Sequence, residues 1–285
     1  MVFLILSIIS SSFIYIIFKL LDRYRIKIFP VIVVNYITAS ITGYLLIGNN
    51  FSWQTALGSN WIYVSALIGV LFIATFYLIG ISSKNAGITI TSISTKMSVV
   101  FPILFSLFYY GEQIYLLKTI GILLALLSIV LSSIKNKDEK GNKKYLFPLI
   151  LFLSMGLVDS LVKFNQQEFL QNTGVVASTT FVFLVAAIVS SVFFLISNFK
   201  QIRKLNLKTV VAGFLLGISN FGSLYFLILA LNHGIFESSV VFALNNSAII
   251  MISVLAGRFF FKEKLLRINW LGVVVSLVAI VALSL

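Results

Sequence analysis

Residues 112–130 read EQIYLLKTIGILLALLSIV, and residues 263–281 repeat the same pattern as EKLLRINWLGVVVSLVAIV. Each stretch begins with a glutamate, carries a glycine nine residues later (Gly121 or Gly272) and continues as an apolar run. Because every backbone polar group in lipid needs a partner within the protein, such runs are predicted to be membrane helices. The recurrence of the pattern predicts a chain composed of two related halves.

Apolar stretches of this kind follow one another along the whole chain. Hydrophobic residues make up 60% of the 285 positions and charged residues 10%, with a mean hydropathy of +1.08. A membrane-spanning helix needs about 20 apolar residues, and the first stretch lacks the basic start and cleavage pattern of a signal peptide. The sequence therefore predicts an all-α membrane protein with ten transmembrane helices. They cover residues 2–19, 29–48, 61–81, 88–109, 115–134, 146–163, 174–197, 208–230, 236–257 and 268–285.

The composition excludes several classes of function. The chain has no cysteine, so it has no thiolate site, and its one histidine, His233, rules out a multi-histidine metal cluster. The sequence contains no glycine-rich nucleotide loop, and we expect no cofactor. The net charge of +13 would suggest nucleic acid in a soluble protein. Here the basic residues lie between the apolar stretches, where they orient helices in a lipid bilayer, so no nucleic-acid partner is expected.

Shorter motifs recur in the same order in both halves. The pairs are NAGI at 85–88 with NHGI at 232–235, and Ser12/Lys19 with Gly156/Lys163. A hydrophilic run near the middle of the chain separates the two copies. We therefore predict a first five-helix repeat at 1–134, a basic linker at 135–145 and a second five-helix repeat at 146–285.

The number of helices in each half predicts how the halves are oriented. Five is an odd number, so the second half enters the membrane in the opposite direction from the first. Inverted repeats of this kind are typical of secondary transporters, in which two similar bundles rock around a central site.

On these residues the chain resembles the EamA-type, ten-helix members of the drug/metabolite transporter (DMT) superfamily over nearly its whole length. The resemblance is carried by the small residue and lysine of each half's first helix, by the glutamate and glycine of its fifth helix, and by Pro102. Asn35 lies near the position where the family often has an arginine. The resemblance implies export or exchange of small metabolites, amino acids or drugs across a bacterial cytoplasmic membrane.

The basic residues give a second indication of orientation. The connections between helices 1 and 2, 5 and 6, 7 and 8, and 9 and 10 each hold four or five lysines and arginines. By the positive-inside rule these connections are cytoplasmic and both termini lie outside. The family resemblance implies that both termini lie inside, and the sequence leaves the two orientations open.

Ionisable side chains inside the membrane are candidates for function because their burial there is costly. Lys96 lies in the polar stretch at 89–98 and either holds a substrate carboxylate or extends to the interface as an ordinary lysine. Asp159 and Lys163 are four residues apart on one helix face. Their predicted ion pair either lines the transport path, with Asp159 as a proton-coupling carboxylate, or is purely structural.

Amide side chains form the second group of candidates. Asn245 and Asn246 fall opposite residues 94–96 in the repeat, and amides in membrane helices either join helices or contact a ligand. Asn35 and Asn220 are lesser candidates of the same kind. Glu112 and Glu263 are predicted to be structural caps at helix starts, and Glu237, beside His233, is either a charge of the same kind or a functional group.

Together these features predict a secondary transporter that moves a small amino-acid-like or drug-like metabolite by alternating access. A proton or another ion is the candidate coupling partner. The alternative is a non-transporting sensor or scaffold, which would be expected to carry a soluble domain or a long exposed loop. An enzyme acting on lipid would need acids or histidines clustered near one interface, and those of this chain are scattered. The substrate, the direction of transport and the choice between monomer and homodimer stay open.

Overall fold

The computed structural model describes residues 1–47, 58–111, 116–134, 146–170, 175–202, 206–232 and 238–284. Within these ranges the chain is helical and contains no strand. The helices are α1 Val2–Arg23, α2 Ile28–Ile47, α3 Trp61–Asn85, α4 Ile88–Met97, α5 Val100–Tyr109, α6 Leu116–Ser133, α7 Leu146–Phe169, α8 Val175–Ile202, α9 Leu207–Asn232, α10 Ser238–Phe259 and α11 Arg267–Ser284.

Ten apolar helical spans in the described residues match the ten predicted stretches. Seven are long and apolar enough to cross a membrane, with α4 and α5 together forming the span Ile88–Tyr109. Three shorter apolar helices complete the set: Leu116–Ser132, Leu244–Phe259 and Arg267–Leu283. The prediction of an all-α, multi-pass membrane protein is therefore confirmed. The predicted linker lies outside the described residues, and the inverted orientation of the halves stays a prediction.

The fourth predicted stretch is interrupted between Met97 and Val100. Pro102 has no N–H, so it cannot donate the hydrogen bond that the Ser98 carbonyl would accept in a continuous helix. The Ser98 carbonyl instead accepts from the N–H of Phe101, at 2.9 Å, in the tighter three-residue pattern. Because this shorter-range hydrogen bond replaces the regular helical one, α4 ends near the middle of the span and Ser98 lies at the junction between α4 and α5.

The short helix α4 lies at the centre of the bundle. It packs against α1, α3, α6, α7, α10 and α11. Nine of its ten residues are buried, and apolar residues such as Ile93 join it to the cores of α6 and α10. A second apolar cluster, around Phe18, Tyr36 and Phe183, holds α1, α2 and α8 together. The nine buried side chains of α4 therefore face other helices rather than lipid.

Candidate functional site

Lys96 is the one residue of α4 that is not buried. It is half-buried and lies at the ninth position of the 22-residue span Ile88–Tyr109. Six helices pack around α4, and Lys96 keeps part of its surface accessible within this packing. No hydrogen bond or ion pair of its ammonium group is found in the described part of the chain, although the charge of Asp159 acts on it. A cation in such a setting can bind an anionic group.

Asp159 reaches the junction between α4 and α5 from the neighbouring helix α7. Its Oδ2 atom lies 2.7 Å from the hydroxyl of Ser98, and the Asp159 side chain is half-buried. The packing of α7 against this junction is close, since the ring of Phe101 lies directly over Gly156, where any side chain would collide with it. The carboxylate is thus held against the same segment that carries Lys96.

The third helix at this position is α1, through Tyr15. Its hydroxyl is 2.5 Å from the hydroxyl of Thr95, next to Lys96, and the charge of Asp159 also acts on Tyr15. Three helices therefore bring a phenol, an ammonium group and a carboxyl group together. We call Tyr15, Thr95, Lys96, Ser98 and Asp159 the central cluster.

Lys163 lies one turn beyond Asp159 on α7 and is half-buried. The contact that the structure gives the Asp159 carboxylate is with Ser98, on a different helix. The ion pair between Asp159 and Lys163 stays a prediction. Proximity along one helix was the only signal that the sequence offered for a partner of Asp159.

Three of the four candidate asparagines lie at contacts between helices. Asn245 is buried on α10 and accepts a hydrogen bond at 3.1 Å from Ser7 of α1; its neighbour Asn246 is half-buried. Asn220 of α9 donates to Asn35 of α2 at 3.3 Å, and both are buried. These bonds fit the first of the two predicted roles, joining helices.

A second polar cluster lies at the N-terminus of α4 and is built around Glu263, from the connection between α10 and α11. One carboxylate oxygen accepts from the backbone N–H of Ile88 at 2.8 Å, and the other lies 3.1 Å from the hydroxyl of Thr89. Lys19 of α1 approaches the carboxylate at 3.5 Å and donates to the Ser83 carbonyl at 3.2 Å. We call Lys19, Thr89 and Glu263 the cross-half cluster, because it joins both predicted halves.

The backbone at Gly87 makes room for this carboxylate. Gly87 has a φ of 94°, which residues with a Cβ rarely adopt, and a Cβ there would lie 2.6 Å from the Glu263 carboxylate. The predicted cap at Glu263 is confirmed as a cap, but the helix it caps is α4 rather than the helix that follows it. Three of the repeated motifs, those of Lys19, Gly87 and Glu263, therefore meet at one point.

The predictions for Glu112 and Glu237 fall outside the described residues. Sequence reasoning missed Ser98 and Thr95 as individual site residues. The available signal for Ser98 was Pro102, four residues later, which frees the Ser98 carbonyl and interrupts the helix.

Comparison with known proteins gives relatives in sequence and in fold. No model of a known protein family matches the chain. A Haemophilus influenzae protein, described as uncharacterized, is 28% identical over an alignment of 289 positions, which covers 98% of this chain and 96% of that protein. A crystal structure of a protein described without a function matches 99% of this chain and 94% of its own, with a TM-score of 0.63 and 12% sequence identity. The complete bundle is thus similar in fold to a solved structure, and the EamA resemblance stays a prediction.

Proposed function

We propose that the chain is a secondary transporter that moves a small metabolite, amino-acid-like or drug-like, across the cytoplasmic membrane by alternating access of two inverted five-helix repeats. The observation that carries the proposal is Lys96, the one accessible residue on the most enclosed helix of the bundle. A charged group at mid-span is costly, and it is commonly part of a substrate or ion pathway. Export or exchange is the expected mode.

The pattern of helix contacts supports two related halves. In the predicted repeat, α1, α2, α3 and α6 of the first half correspond to α7, α8, α9 and α11 of the second. The contact of α1 with α9 therefore corresponds to that of α7 with α3, and the contact of α2 with α9 corresponds to that of α8 with α3. All four pairs are in contact. Two further contacts, α2 with α8 and α6 with α11, join counterparts directly. Two repeats around a common axis would produce this arrangement, which is frequent among transporters.

The cross-half cluster supports a moving interface between these halves. Lys19 and the start of α4 belong to the first half, whereas Glu263 belongs to the second. Alternating access requires that contacts between the halves break on one side of the membrane while they form on the other. The charge of Lys96 favours substrates with a carboxylate or another anionic group.

Metabolite profiling followed by reconstitution tests the proposal. Medium and cell extracts are compared between strains that lack or overproduce the protein, and each metabolite that changes is loaded into liposomes containing purified protein. We expect at least one small anionic or zwitterionic metabolite to leave these liposomes faster than it leaves protein-free liposomes. If no metabolite changes in cells and none moves in liposomes, the proposal is wrong and the sensor or scaffold alternative is favoured.

A further inference from the structure

The hydroxyl of Ser98 lies between two oxygen atoms that both compete for its hydrogen. It is 2.5 Å from the backbone carbonyl of Thr95 and 2.7 Å from Oδ2 of Asp159. Both distances are typical of O–H···O hydrogen bonds. Ser98 itself is fully buried, so bulk water does not provide an alternative partner at this position.

One hydroxyl hydrogen cannot serve both contacts. A carbonyl oxygen only accepts, and an ionised carboxylate also only accepts, whereas a protonated carboxyl group can donate. Both bonds form together only when Asp159 carries a hydrogen and donates it to Ser98, while Ser98 donates to the Thr95 carbonyl. When Asp159 is ionised, the Ser98 hydrogen turns to the carboxylate and the Thr95 contact loses its hydrogen. Ser98 can therefore accommodate both charge states of Asp159 without moving.

The groups around Asp159 determine which state is favoured. From α4, Lys96 provides a positive charge, and from α1, Tyr15 provides a phenol. On its own helix Lys163 lies one turn away. Near Asp159, the other contacts described for α7 are between neutral groups: Thr75 of α3 against Ser154, and the ring of Phe101 of α5 against Gly156. The acidic Glu168 lies further along α7, toward its C-terminus, and hydrogen-bonds Tyr110. Lys96 is thus the charged partner from a neighbouring helix that acts on Asp159.

Charge balance links the two sites. With the path empty, a positive Lys96 and a negative Asp159 compensate each other. An anionic group bound to Lys96 adds a negative charge, and a proton on Asp159 restores the balance. Either ligand alone leaves an uncompensated charge inside the membrane, which is strongly disfavoured. We propose that Asp159 is a proton-binding site that is loaded together with an anionic group at Lys96, so that proton and anion are carried in the same direction.

The proton moves from water on one side of the membrane to the Asp159 carboxylate and is released to water on the other side, with no other bond changed. This inference rests on the proposed function for its role in transport. The linkage between the two residues can nevertheless be tested without a substrate, since removal of the Lys96 charge imitates its neutralisation by an anion.

Infrared spectroscopy of the purified protein in lipid at neutral pH tests the linkage. The Lys96→Met variant is expected to show a several-fold stronger C=O stretch of a protonated carboxyl group than the unmodified protein. The additional Asp159→Asn substitution should remove this band. Ser98→Ala in the Lys96→Met background should shift its frequency, because the acceptor of the Asp159 hydrogen is lost. Lys208→Met, at an exposed position at the start of α9, is the matched control and should leave the spectrum unchanged.

A carboxyl band that is equal in the unmodified protein and in Lys96→Met, or one that survives Asp159→Asn, would overturn the inference. That outcome would leave the proposed transport itself untouched. Conversely, liposomes that move no metabolite would contradict the proposed function while leaving the infrared result in place.

Discussion

Lys96→Met is expected to reduce transport of an anionic metabolite by about 10- to 100-fold. A hydrogen bond to a charged group contributes about 1.5–3 kcal/mol, and each 1.4 kcal/mol corresponds to about a tenfold change in affinity. Methionine preserves most of the side-chain volume but removes the charge. The loss should appear as weaker apparent affinity and slower flux of the metabolite identified by profiling, measured in liposomes that contain equal amounts of folded protein.

Two further variants separate the charge of Lys96 from its shape. Lys96→Arg keeps the charge and should retain more transport than Lys96→Met, with a changed affinity because the guanidinium group is larger and planar. Lys208→Met removes a charge from an exposed position at the start of α9 and should transport normally. If Lys96→Met transports like the unmodified protein, Lys96 does not bind the substrate.

Glu263→Gln is expected to lower the stability of the bundle by about 1–3 kcal/mol, the usual range for loss of charged hydrogen bonds in a partly buried site. The glutamine keeps the shape but removes the negative charge that caps α4 and faces Lys19. Lys19 would then remain largely enclosed, with 18% of its side chain exposed, and would lose its negatively charged partner while keeping the Ser83 carbonyl. The unfolding temperature of the purified protein in lipid nanodiscs measures the effect.

The chain contains a matched control for this substitution. Asp22 and Lys84 form a longer ion pair of 3.8 Å, with 34% and 58% of their side chains exposed. Exposed pairs contribute about 0–1 kcal/mol, so Asp22→Asn should change the unfolding temperature little. Equal shifts for Glu263→Gln and Asp22→Asn would mean that the cross-half cluster is an ordinary surface pair.

The spans were predictable from sequence because hydrophobicity is a local property. Each of the ten stretches can be predicted to be helical from its own residues, since in lipid the backbone polar groups have no hydrogen-bond partner outside the protein. The interruption of the fourth span was also contained in the sequence, at Pro102, although it was not predicted. The role of Ser98 at this junction was not predictable, because it depends on which helix packs beside it.

The partners of the charged residues were not predictable in the same way. The sequence predicts an ion pair between Asp159 and Lys163, because it shows only neighbours along one helix. The structure instead gives a hydrogen bond between Asp159 and Ser98, which lies at the end of α4. Glu263 was expected to cap a helix near it in sequence, and it caps one that begins 175 positions earlier. Such contacts depend on how the halves pack, and a single sequence contains no direct record of that packing.

Labelling of a cysteine at position 96 tests most directly whether an internal path leads to Lys96. The chain has no cysteine of its own, so Lys96→Cys introduces a single reactive thiol. Ile93→Cys, at a fully buried position of the same helix, is the matched control. A charged, membrane-impermeant thiol reagent is applied to either side of the membrane in sealed vesicles. Alternating access predicts that the cysteine at 96 is labelled from both sides and the cysteine at 93 from neither; a cysteine at 96 that reacts from neither side would contradict it.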